Sequence, residues 1–188
     1  PSIADIIKTN SLFIGFLILL TFGIYYNSLD NEATLVDDMQ GFVFNERIKD
    51  LPSTVKRLDI QKIGFALSYK YFDFNPMPLR VLSVTLHTAI TIMVFFFIYK
   101  LYGRKIAIMS SLIFATHPIN TEAVTWISGE PYLYLAFFSF MVMLAFLTYK
   151  QANKKKFLYL SLIIYILTMV FVRAPWVLVV PFALVVID

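Results

Sequence analysis

Apolar residues in this chain gather into long blocks separated by short polar stretches. Six blocks stand out: about Ser11–Tyr26, Leu79–Tyr102, Ile106–Thr116, Tyr132–Tyr149, Phe157–Val172 and Ala174–Ile187. A helix rises 1.5 Å per residue, so about twenty apolar residues cross a hydrocarbon core roughly 30 Å thick. Within lipid the helix satisfies all its backbone N–H and C=O groups internally. The pattern predicts an all-α, polytopic integral membrane bundle of about six membrane helices, some of them short, in a single membrane domain over 1–188. Residues 1–28 form the first span, 29–78 a long first loop and 79–188 the remaining spans. The block Ile106–Thr116 reaches only about 17 Å and cannot cross alone. Ala174–Ile187 is also short and begins beside a proline, which a first helical turn tolerates. In the loop, "STVKRLDIQKIGFALSYKYF" (Ser53–Phe72) repeats Val55, Leu58, Ile63, Ala66, Leu67 and Phe72 at roughly helical spacing. It predicts an amphipathic helix capped by Ser53 that lies on a leaflet, lysines toward the headgroups, or packs on the bundle.

Composition strengthens the membrane reading. The chain is 59% hydrophobic and 17% aromatic, with a mean hydropathy of +0.74, more than a soluble domain of this length needs. It has no cysteine, so neither a disulfide frame nor a thiolate metal site is available. Its two histidines, His87 and His117, lack metal-ligand spacing, so a zinc site is a weak reading and no metal ligands are assigned, while a divalent cation stays open as a cofactor. Gly-rich phosphate loops, serine triads and nucleotide fingerprints are absent, which argues against a soluble nucleotide-sugar site.

Charge orients the blocks. The net charge of +4 comes from cations placed beside apolar blocks, a pattern of membrane orientation rather than nucleic-acid binding. "KLYGRK" (Lys100–Lys105) and "KQANKKK" (Lys150–Lys156) are basic and free of acids, whereas "HPINTEAVTWISGE" (His117–Glu130) has two acids and no lysine or arginine. The positive-inside rule puts both basic turns, with the N-terminus, in the cytoplasm. The first loop and His117–Glu130 then share the extracytoplasmic face. Arg173 falls on the outer side as an exception, since a lone arginine at a helix end reaches headgroups or a site. Polar backbone below the surface needs a protein-lined or wet cavity, so an outward-facing cavity with carboxylates at its lip is expected.

Several residues can carry chemistry there. Asp37 and Asp38 are adjacent and do not point the same way on a helix or a strand. One can face the cavity while backbone or solvent holds the other. A partly desolvated carboxylate serves as a general base, or binds a divalent cation with phosphate oxygens; a solvated acidic turn is the plainer reading. His117 precedes a proline and ends a helix. Asn120 or Thr121 can cap the next, with Glu122 in its first turn. Trp126 and Tyr132 read as interfacial anchors. His87 lies inside a span, where an ionisable group is a functional candidate or a neutral histidine bonded to a neighbouring helix.

The stretch "YNSLDNEATLVDDMQGFVFNERI" resembles the first-loop motif of GT-C superfamily glycosyltransferases of the TPR-associated, TMTC-like O-mannosyltransferase type. The stretch from "FNPMPLRVLSVTLH" to "HPINTEAVTWISG" resembles the next block of that family, so the likeness covers about Tyr26–Gly129. It implies transfer of a sugar from a polyprenyl-phosphate carrier to an extracytoplasmic acceptor. It further implies that Asp37 or Asp38 is catalytic, as base or through a metal, and that His117 and Glu122 support the carrier phosphate or the loop. Departures are visible. "GEPYLY" stands where the family carries a "GRKD"-like pair, and "VRAP" where it often has a Ser-Lys-Glu-like triplet, leaving Arg173 as the cation to meet a phosphate. The resemblance also implies further spans and repeats beyond this stretch. The contrasting expectation is a truncated, inactive paralogue acting as a structural subunit among partner membrane proteins.

Overall fold

A computed structural model of the chain describes residues 3–32, 36–73, 75–172 and 175–187. These residues are helical, with no strand among them, because apolar blocks of this length must close their own hydrogen bonds. The principal helices are α1 Ile3–Tyr25, α2 Val36–Asp38, α3 Leu51–Lys56, α4 Ile60–Phe72, α5 Met77–Tyr102, α6 Arg104–Thr116, α7 Asn120–Thr125, α8 Glu130–Ala152, α9 Lys155–Phe171 and α10 Val180–Ile187. Three stretches are long and apolar enough to cross a membrane: Ile3–Ser28, Met77–Tyr102 and Ile127–Ala152. Of the about six spans expected, three are long and apolar enough to cross among the described residues. With 17 residues, α9 reaches about 26 Å, and α6 stops after 13.

α1 and α5 run antiparallel. Thr21 meets Thr88 through a 2.7 Å hydroxyl bond, and Phe13 packs on Phe95. Such buried hydroxyl pairs join helices where lipid supplies no hydrophobic drive. At the far end Arg104 donates from Nε to Asn10 Oδ1 at 2.8 Å. α8 runs alongside α5, and Lys100 Nζ donates to Gln151 Oε1 at 2.7 Å. The two basic turns therefore occupy one end of the bundle. Gly103 turns the chain between α5 and α6 with φ 83° and ψ −179°, a region only glycine enters without strain.

The opposite end carries a folded cap. The predicted helix Ser53–Phe72 is broken: α3 ends at Lys56, and α4 starts at Ile60. Leu58 between them has φ 54°. Ser53 is not the cap. Asp50 accepts from the Ser53 N–H and Asp59 from the Lys62 N–H, satisfying otherwise orphan donors at the two helix starts. Phe42, Ile48, Phe65, Ala66, Leu79 and Ile127 form a buried cluster that seats the cap on the bundle.

Candidate functional site

The first loop tightens after its two acids. The segment Met39–Val43 makes one wide π turn, closed by the Phe44 N–H on the Met39 carbonyl at 2.7 Å. Turns of this kind are rare and recur at functional sites. Asp38 is buried at 2% exposure. Its Oδ1 accepts from the Ser128 N–H at 2.9 Å and the Ser128 hydroxyl at 2.7 Å. Asp37 stays exposed and lines a cavity of about 360 Å³. Two stretches far apart in sequence thus meet through one carboxylate.

Lys62 and Gln61 from α4, and Trp126 and Ser128 from the segment before α8, complete the walls beside Asp37. Gln61 donates to the Ser128 carbonyl at 3.2 Å, so three hydrogen bonds join the first loop to this segment. Adjoining hollows extend the cleft. One, of about 290 Å³, shares Lys62 and adds Arg47 and Arg57; the other, of about 310 Å³, shares Trp126 and adds Tyr132 and Trp176. Trp126 is a wall shared by two of these hollows, and its indole N–H is buried without a hydrogen-bond partner. Its ring packs on Gly129, where a Cβ would stand 3.1 Å from Trp126 Cε3. That contact gives the W-x-x-G spacing a steric reason.

Arg80, in the first turn of α5, ties the entry of the first loop to α7. It is buried, and its guanidinium donates to the Asn31, Glu32 and Thr125 carbonyls. Glu130 is fully buried at the start of α8. Lys62, Asp38 and Tyr134 are its charged and polar neighbours.

Of the residues singled out in the sequence, the structure brings Asp37 to the cavity and Asp38 beneath it. His117 is exposed at a turn, its Nδ1 accepting from the Ile119 N–H at 3.2 Å. It ends α6 with extended backbone, as a residue before proline does. Glu122 is exposed on α7. Neither lines the cavity. Asn120 is not an acceptor cap; its side chain donates back to the Phe114 carbonyl at 2.7 Å. His87 is buried in the bundle, 5.3 Å from the Tyr25 ring and 5.5 Å from the Phe114 ring, away from the cavity. Arg173 lies outside the described residues. Sequence reasoning missed Lys62, Gln61, Ser128 and Arg80. An arginine in the first turn of an apolar span was the visible signal for Arg80. Among the described residues no three histidine or acidic side chains stand together to hold a metal, so these residues by themselves offer no cation cage.

No protein-family model matches the chain, and no solved structure does. Curated relatives do. Protein O-mannosyl-transferase TMTC3 of Homo sapiens is 33% identical over 92 residues, covering 48% of this chain and 10% of that protein. Protein O-mannosyl-transferase TMTC1 of Mus musculus is 33% identical over 92 residues, 48% of this chain and 9% of its own length. Protein O-mannosyl-transferase TMTC4 of Mus musculus is 26% identical over 181 residues, 77% of this chain and 23% of its own. The chain spans a tenth of the first relative's length, and over about half of its own it is similar to the TMTC O-mannosyl-transferases.

Proposed function

We propose that this chain forms the catalytic-loop end of a GT-C-like membrane glycosyltransferase. The enzyme moves a sugar from a polyprenyl-phosphate carrier to a hydroxyl acceptor on the extracytoplasmic side. The observation that carries this reading is the cavity itself: Asp37 and Lys62 face one cleft, held by the Asp38–Ser128 clasp. A base and a cation across one cleft suit group transfer from a phosphate leaving group. Asp37 takes the proton from the acceptor hydroxyl. The acceptor oxygen bonds the anomeric carbon as the bond from that carbon to the carrier phosphate breaks. Polyprenyl phosphate leaves with the electron pair, and Lys62, with Arg47 and Arg57 beside it, meets its charge. Each of these steps runs on side chains of this chain.

The test is a transfer assay on the full-length protein with polyprenyl-phosphate mannose. Asp37→Asn is expected to lower kcat by about 10²–10⁴. Lys62→Gln is expected to lower kcat as well, because the charge it meets develops as the carrier phosphate leaves. Unchanged turnover in Asp37→Asn and in the Asp37→Asn/Asp38→Asn double variant removes the catalytic assignment.

One observation favours the alternative, an inactive paralogue serving as a structural subunit of a larger membrane complex. Glu130 is a fully buried acid where the resembling family carries a basic residue after the glycine. Absence of turnover in the unaltered full-length protein, together with stoichiometric recovery in a complex, establishes that reading instead.

A further inference from the structure

At the end of the bundle opposite the cleft, α1, α8 and α9 leave a groove of about 380 Å³. Its walls include Ile3, Leu144, Ala145, Phe157 and Leu160, and the Lys100 cation stands among them. Lys100 donates to Gln151, which joins both basic turns at the mouth of this groove. Those turns hold Lys100, Arg104, Lys105, Lys150, Lys154, Lys155 and Lys156 and no acid. Among the described residues, Asp5, in the first turn of α1, is a carboxylate at that end. An aliphatic slot with Lys100 in its wall and two basic turns at the same end of the bundle matches one chemistry: acyl chains that carry a negative headgroup. A neutral lipid uses the slot and leaves the cations idle. A soluble anion uses the cations and leaves the slot empty.

We propose that this groove is a binding site for an anionic phospholipid, an acyl chain lying between α8 and α9 and the headgroup against Lys100 and the Lys154–Lys156 run. The site is separate from the cleft and does not depend on the glycosyltransferase reading. Full-length protein purified in detergent is mixed with equal amounts of phosphatidylglycerol and phosphatidylcholine, and retained lipid is counted by native mass spectrometry. Phosphatidylglycerol is expected to be retained over phosphatidylcholine. Replacing Lys154, Lys155 and Lys156 by Gln weakens its retention roughly fivefold for each cation removed. Leu160→Trp fills the groove from a half-exposed position and lowers retention with all charges intact. Ala145→Trp does the same from deeper in, and thermal unfolding checks its fold; Leu160→Trp decides the matter if Ala145→Trp fails to fold. Equal retention of the two lipids overturns the proposal. So does undiminished retention in Leu160→Trp, which means surface attraction alone, and so does retention of neither lipid, which means that more of the protein's own chain covers the groove.

Discussion

Asp38 shows how one side chain decides where two segments sit. Its buried carboxylate receives two donors from Ser128, and hydrogen bonds to a charged group contribute about 1.5–3 kcal/mol each. Asp38→Ala leaves the Ser128 N–H unpaired and should destabilise the cap by several kcal/mol, while Ser128→Ala removes the hydroxyl bond alone and costs roughly half as much. Thermal unfolding in detergent reads both; wild-type stability in Asp38→Ala would falsify the clasp. Arg80 is a second residue of this kind. Arg80→Met strips three backbone carbonyls of their donor, and hydrogen bonds to a charged group contribute about 1.5–3 kcal/mol each. The stretch around Asn31 and Glu32 should then be cut faster in limited proteolysis. Equal cleavage rates would mean that Arg80 does not hold the entry.

Helices here start and stop for local reasons that substitutions can probe. Asp59 caps α4 through the Lys62 N–H, so Asp59→Ala should cost about 1 kcal/mol. Because Lys62 sits in the first turn of that helix, fraying there also loosens a cavity wall. Gly103 sits in open space, with nothing within 4 Å of where a Cβ would stand. Gly103→Ala therefore meets no clash, only backbone strain of about 1–3 kcal/mol. A lowered unfolding midpoint in Gly103→Ala is the expected result, and an unchanged one would show that the turn relaxes. α9 presents Leu162, Ile163, Ile166 and Leu167 outward, the surface expected of a helix that meets lipid or a neighbouring helix.

At the scale of the molecule, the basic turns occupy one end and the two acidic stretches the other. The chain has no cysteine, so single introduced cysteines report without background. Exposed Asp30→Cys and Glu122→Cys should react with a membrane-impermeant maleimide from one side, and Lys105→Cys and Lys154→Cys only from the other. Reaction of Asp30→Cys and Glu122→Cys from different sides would put the two stretches that supply the cleft's walls on opposite faces, and the proposed chemistry would have no site.

The residues along the chain were enough to read helical membrane segments and the separation of basic turns from acidic stretches. Block length and backbone hydrogen bonding act within a helix, and charge asymmetry acts on each turn alone, so both are visible in one dimension. They also made the divergence of Asp37 and Asp38 legible, because neighbouring side chains must point apart. The partners of that pair were not legible. Ser128 and Gln61 are ordinary polar residues until the cap folds onto the start of α8, and Lys62 looked like one more headgroup lysine until the break at Leu58 redirected α4. His117 and Glu122 drew attention as ionisable groups, yet local turn geometry leaves them outside the cleft. Contacts between residues tens of positions apart depend on how helices pack against one another, and only the tertiary structure decides that.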